Sequence, residues 1–306
     1  MLNDCNLSRV GSVAFLASLW IATAVAQGHR TGISRPQTQS PATPAPPPDA
    51  KEIVRRAMER DVRNWEQEKN YTFLQRIEQR ELNGDGTMKS RKSQTEEIIF
   101  LYDQPYAHLI KRDDQPLSDA EARKAEKKLN DTMERRSHET PADRQKRLAD
   151  FDKRHREEHE FLLEVPNAYD FRIVNEELLN GRPAYVVAGE PRADFRPHLN
   201  AARVLPKLRP KLWIDKQGFE WLKMQADVID TITWGGFLLR LHPGSHIELE
   251  QTFVNNEVWL PLHAHIGFDA RVALLKAIRL DVEATFSDYK KFRTDSKIIS
   301  VEEVKR

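Results

Sequence analysis

Apolar residues change period several times along this chain, and each change marks a new element. After Pro48, Val54, Met58, Val62 and Trp65 recur at i, i+4, i+8 and i+11, which sets them on one face of a helix. Arg55, Glu59, Arg60 and Asn64 fall on the opposite face and are expected in water. Asp49 and Glu52 have capping-box spacing at its start, and the helix should end near Asn70. From Tyr71 the period becomes two: Tyr71, Phe73, Gln75 and Ile77 alternate with Thr72, Leu74, Arg76 and Glu78. Asn83-Gly84-Asp85-Gly86 turns the chain back, and residues 87–101 and 105–112 continue as strands.

The alternation stops at residues 117–162, where about half the side chains are charged, in near-equal numbers of each sign. Ser118 with Glu121, and Thr140-Pro141-Ala142-Asp143, are two helix starts. Leu148, Phe151, His155 and Leu162 give the second helix a thin apolar stripe. This reads as a solvated helical hairpin inserted between strands. Strands resume after Pro166: residues 169–178 and 182–190 around Asn180-Gly181, 210–215 and 219–229, 246–254 and 257–266 around Asn255-Asn256, and a further pair within 268–289. The last of these places Leu280, Val282, Ala284 and Phe286 inward and Arg279, Asp281, Glu283 and Thr285 outward.

The resulting fold class is mainly β (α+β): about ten antiparallel strands in up-and-down order, an N-terminal helix and one charged helical hairpin. Twist accumulates in a sheet of that width, so a strongly curved half-barrel is expected. With so few helices, part of its apolar concave side should stay open to a ligand. Leu222, Met224, Leu280, Val282, Ala284 and Phe286 are the expected lining. The segment from Thr231 to Leu241, with Trp234, Gly235, Gly236 and Phe237, reads either as a strand closing the sheet or as a flap over the cavity.

Composition places this fold outside the cytoplasm. Val10 to Ala26 is nearly all apolar or small and ends in Ala24-Val25-Ala26, so residues 1–26 read as a signal peptide cut after Ala26. Residues 27–48, rich in Pro, Ser, Thr and Gln, read as a disordered tether leading to a domain over 49–306. The expected location is the periplasm or the medium. Cys5 is the only cysteine of the 306 residues and precedes the cut, which excludes disulfides, thiolate metal sites and cysteine nucleophiles from the mature chain. With 48 Lys+Arg against 47 Asp+Glu, the chain has no basic surplus for nucleic acid.

Candidate chemistry is sparse. His242, His246, His263 and His265 lie close in sequence. A two-residue turn at Asn255-Asn256 would set His263 opposite Glu248 and His265 opposite His246, and those four could serve zinc. The same face carries Glu250, Thr252 and Glu257, so a water-facing polar surface explains these residues without a metal, and none is expected. No nucleophile elbow, H-E-x-x-H, P-loop or dinucleotide fingerprint is present. Neither a cofactor nor enzymatic activity is expected.

Four stretches, Asn70-Tyr71-Thr72-Phe73, Lys211-Leu212-Trp213-Ile214-Asp215, Glu257-Val258-Trp259-Leu260-Pro261 and Phe286-Ser287-Asp288-Tyr289-Lys290-Lys291-Phe292, occur in an order that resembles the LolA-like group of outer-membrane lipoprotein-sorting proteins. The resemblance spans roughly residues 50–300 and includes the charged insertion, which the periplasmic carrier of that group lacks. It implies an open half-barrel with helices over its concave face, and a role in shielding or sensing lipoprotein acyl chains. It assigns no cargo-contacting residue here. Acyl chains or lipoproteins are the expected partners; an envelope scaffold docking through the charged hairpin is one alternative, and a metal-dependent enzyme using His246, Glu248, His263 and His265 is the other.

Overall fold

The computed structural model describes residues 49–234, 239–272 and 276–292. The signal peptide, the tether and Phe237 lie outside these residues, as do the side chains of Trp65 and Trp234. The first element, α1 (Ala50–Glu68), is capped by Asp49, whose carboxylate accepts the Lys51 N–H at 3.0 Å. Glu52 turns instead onto Arg55 and Arg56.

Strands β1 (Tyr71–Leu82), β2 (Met88–Leu101), β3 (Gln104–Arg112) and the short β4 (Gln115–Pro116) form an antiparallel meander. Two helices follow, α2 (Asp119–Ser137) and α3 (Pro141–Ala168). Ser118 and Glu121 close a full capping box on α2, and Thr140 caps α3 ahead of Pro141. A second meander comprises β5 (Tyr169–Leu179), β6 (Arg182–Pro191), β7 (Leu208–Asp215), β8 (Trp221–Val228), β11 (His246–Val254), β12 (Val258–Val272) and β13 (Lys276–Lys291). Between β8 and β11, β9 (Ile232–Trp234) pairs with β10 (Leu239–Leu241), and β10 also pairs with β12.

The sheet is one open antiparallel array with the order β4-β3-β2-β1-β13-β12-β11-β8-β7-β6-β5. This corrects the simple up-and-down order in two respects. Residues 268–289 do not supply two new strands, because β12 runs on to Val272 and only β13 begins within them. In addition, β13 returns beside β1, from Tyr71↔Lys291 to Leu82↔Arg279, so the first and last strands join two meanders. The helical pair carries the chain from edge strand β4 to the other edge, β5. The 28 residues of α3 span about 42 Å at 1.5 Å per residue, enough to cross many strands at their spacing of about 4.8 Å.

One face of the sheet receives α1 and α3. Ile53, Val54, Ala57 and Met58 pack with Leu162, Val187, Leu212, Ile214 and Trp221, all buried. Full burial of each aliphatic side chain contributes about 1.5–3 kcal/mol of transfer free energy, so this stripe fixes the helix on the sheet. The hairpin is fastened to β2, β3 and the turn between them. Leu129 packs on Ile99 and Leu101, and Arg147 binds Glu139 and the carbonyl of Tyr102. Among the described residues no helix is long and apolar enough to cross a membrane.

Candidate functional site

Period-two alternation on β13 delivers Leu280, Val282, Ala284 and Phe286 to the helix-bearing side. Ala284 sits between Ile77 of β1 and Ala264 of β12, Val282 opposite Ile266, and Leu280 opposite Phe268. Ile77, Ala264, Val282, Ala284 and Phe286 are buried as one cluster, with Phe73, Phe268, Leu280 and Tyr289 half-buried around it. Leu249 touches both this cluster and the one beneath α1, which includes Met224. Met224 itself lies between Leu249 and Leu212 in register. A continuous apolar face thus runs from β1 to β7.

Leu222 is not part of it. The β7–β8 register slips between Trp213↔Lys223 and Ile214↔Trp221, leaving Leu222 as the extra residue of a bulge. The bulge sends Leu222 into a separate cluster with Ala184, Val186, Trp213 and Trp259, while Trp221 turns under α1. Trp234 ends β9, and the hairpin it belongs to buries Ile232 and Leu241 against Val228 and Ala270.

The second half of α1 lies over polar groups, a feature that the apolar stripe did not signal. Trp221 Nε1 donates to the Asp61 carboxylate at 2.8 Å, and the Gln251 amide, 3% exposed, reaches the same oxygen at 3.5 Å. Asn64, expected in water, instead bridges the backbone of Trp259: it accepts the amide N–H at 2.8 Å and donates to the carbonyl. Its amide also bonds Glu68. Asp61 is half-buried as a residue, but its carboxyl is the inner end, and burial pushes that carboxyl up to about 7 against the pull of Trp221 and Gln251. Glu68 is raised well above the ordinary range, first by burial and then by the charge of Asp61. Tyr289 is raised by burial, with Glu68 adding to the effect. A sequence signal did exist: Asp61, Asn64 and Glu68 recur at i, i+3 and i+7, the spacing of a single helix face.

On the opposite side of the sheet the strands present a polar ladder. Here the expected histidine register is corrected. The β11–β12 ladder begins at Val254↔Val258, one residue beyond a two-residue turn, and Leu262 is an extra residue at the irregularity between Glu250 and Gln251. The two slips sum to two residues, so the histidines keep their face but change partners. His265 stands opposite Glu248, His263 opposite Glu250 and His246 opposite Gly267. Each imidazole then meets a different carboxylate: His246 with Asp227 at 2.7 Å, His265 with Asp281 at 2.8 Å and His263 with Glu283 at 3.3 Å. Glu248 is bound by Lys223 and Gln225 and is held below the ordinary carboxylate range by those hydrogen bonds, against its desolvation. Arg76, Arg80 and Arg91 converge on the buried Glu78 in the same way.

On α3, His155, Glu158 and His159 form an H-x-x-E-H pattern that the sequence reading passed over. His155 is buried, stacks edge-on against Phe151 and bonds Glu158 at 3.0 Å. Burial lowers it to about 3 and His159 to about 4, so both are neutral packing imidazoles. Among the described residues no three ligands converge to hold a metal ion.

No model of a known protein family matches the chain, and no curated protein matches it. Solved structures are similar at low values. A domain from Vibrio parahaemolyticus assigned to outer membrane lipoprotein sorting has 12% identity and a TM-score of 0.33 over 84% of this chain and 100% of that one. A LolA superfamily protein from Nitrosomonas europaea has 14% identity and a TM-score of 0.29, with the same coverage of both chains. The Pseudomonas aeruginosa MucA/MucB complex gives 11% identity and a TM-score of 0.21 over 78% of this chain and 94% of that one. These matches assign no role to any residue here.

Proposed function

We propose that this chain is an exported, non-enzymatic lipid or lipoprotein binder that shelters acyl chains on the helix-bearing face of its sheet. The carrying observation is the continuous apolar face of β1, β11, β12 and β13, centred on Ile77, Val282, Ala284 and Phe286. Each methylene that leaves water for such a face gains about 0.8 kcal/mol, so no specific polar chemistry is needed to hold a chain there. The ordered resemblance of residues 50–300 to lipoprotein-sorting proteins supports the same reading.

In this reading the domain over residues 49–306 is an open sheet without the strong curl expected of a half-barrel, and α2 with α3 is an insertion in it. Met224, Leu280, Val282, Ala284 and Phe286 line the acyl site, and the β9–β10 hairpin with Trp234 and Phe237 is its flap. Leu222 belongs to the proposed lining only if its bulge straightens. Residues 1–26 direct export, 27–48 tether the domain, and the protein works in the periplasm. A docking role for the charged hairpin is less favoured, because its visible contacts fasten it to β2, β3 and the turn between them. Mass spectrometry of lipids extracted from protein purified out of whole-cell lysate tests the proposal. Stoichiometric phospholipid or lipoprotein-derived acyl chains are expected, and Val282→Glu should deplete them. Lipid-free wild-type protein contradicts it.

A further inference from the structure

A hollow of about 270 Å³ lies at the start of α1, where α3 ends and the chain leaves β6. It is lined by Lys51, Glu164, Asn167 and the run Arg192, Asp194, Phe195, Arg196, His198. From these residues we infer a binding site for a phosphate-type anion. The inference does not depend on the acyl-chain reading.

The loop that builds the hollow is preorganised. The Arg192 N–H donates to the Ala168 carbonyl at 3.0 Å. Phe195 and Leu199 pack onto the buried cluster of Ala168, Tyr169, Ala202 and Leu205. Glu164, 7% exposed, accepts the backbone N–H groups of His198 at 3.0 Å and Leu199 at 2.7 Å. Both carboxylates at the site are therefore engaged. Glu164 uses one oxygen on each amide, and Asp194 is held by both arms of Arg192 at 3.1 and 2.8 Å.

The remaining groups are donors. Arg196 hydrogen-bonds only the carbonyls of Ala193 and Phe195, and the one carboxylate that feels its charge, Asp194, is already clasped by Arg192. Among the described residues no carboxylate pairs with Lys51, and the His198 ring has no bonded partner. Asn167 adds an amide. Two cations, an imidazole and an amide around a fixed concavity match an anion with several acceptor oxygens, for which charge-assisted hydrogen bonds are the strong contacts. A free phosphate and a phosphoglycerol headgroup share this chemistry.

The test titrates the purified protein with inorganic phosphate by calorimetry and, separately, floats it with vesicles of phosphatidylglycerol or phosphatidylcholine. The site variant is Lys51→Gln with Arg196→Gln, both exposed positions; the control is Lys127→Gln with Lys153→Gln, which removes equal charge from the hairpin. Losing one charge-assisted contact weakens binding by about tenfold or more. The inference predicts that loss in the site variant and under about twofold in the control. Loss against phosphate identifies a soluble anion, and loss against phosphatidylglycerol alone identifies a headgroup. Thermal unfolding checks both doubles, and Arg196→Gln alone replaces the site variant if it fails to fold. Binding of neither probe, or equal weakening in site variant and control, overturns the inference.

Discussion

Trp221 and Asp61 face each other across the helix–sheet interface, the indole N–H donating to the carboxylate at 2.8 Å. The bulge at Leu222 makes this contact possible, because it turns Trp221 from one side of β8 to the other. Asp61 is thereby drawn out of water, and its charge adds to the burial that raises Glu68.

The burial of Asp61, which its hydrogen bonds only partly offset, makes its contribution to stability fall as pH rises. Burial lifts Asp61 from its ordinary 3.8 to about 7, so the folded protein holds this proton more tightly than the unfolded chain. Its stabilising contribution is complete below about pH 4, declines above it and is lost beyond about pH 7. Asp61→Asn removes the Asp61 share of the dependence and leaves the part that burial gives Glu68. Melting temperatures from pH 4 to 8 should show the variant gaining on the wild type with rising pH, by several degrees at pH 8, since about 1 kcal/mol moves a domain of this size by roughly 2–4 °C. Parallel curves would show that Asp61 is ionised throughout.

Gly189 is a packing glycine. A Cβ there would lie 2.8 Å from the Phe171 ring and 3.0 Å from the Pro210 ring. Gly189→Ala should cost about 1–3 kcal/mol in denaturant unfolding. Phe171→Leu in the same chain should recover part of that, and full additivity of the two losses would place the clash elsewhere.

Arg147, half-buried with Glu139, anchors the hairpin to the β2–β3 turn. Arg147→Ala should cost about 1.5–3 kcal/mol locally. Hydrogen exchange should accelerate in residues 119–160 while β12 and β13 stay protected. Uniform acceleration across the sheet would show that hairpin and sheet unfold as one unit.

The histidines of the polar ladder should not retain metal. Purified protein dialysed against zinc should carry less than one equivalent, and His265→Ala should cost no more than about 1 kcal/mol, the upper end for ion pairs that water still reaches. Stoichiometric zinc lost in His263→Ala would restore the metal reading.

Local signals in the sequence translate directly into structure. Asn180-Gly181 makes the expected hairpin, with both residues at positive φ, and Ser118 with Glu121 closes its box. The alternation on β13 places Val282 and Phe286 on the apolar side as expected. What depends on distant partners is not legible in this way. Nothing near Tyr71 states that Lys291 will lie beside it. A one-residue lengthening of the Asn255-Asn256 loop and a bulge at Leu262 each conserve composition, yet together they reassign every histidine. Asn64 reads as solvent-facing because its partner is a backbone 195 residues away. Leu222 reads as lining because bulges leave no mark in a short apolar run.

The central claim is that an acyl chain rests against β1, β12 and β13. A fatty acyl probe with a terminal photoreactive group, crosslinked to the protein and mapped by peptide mass spectrometry, tests it most directly. The account predicts adducts concentrated at Ile77, Phe268, Leu280 and Phe286, abolished by Val282→Glu. Adducts confined to the polar ladder or the hairpin, or none above background, would contradict it.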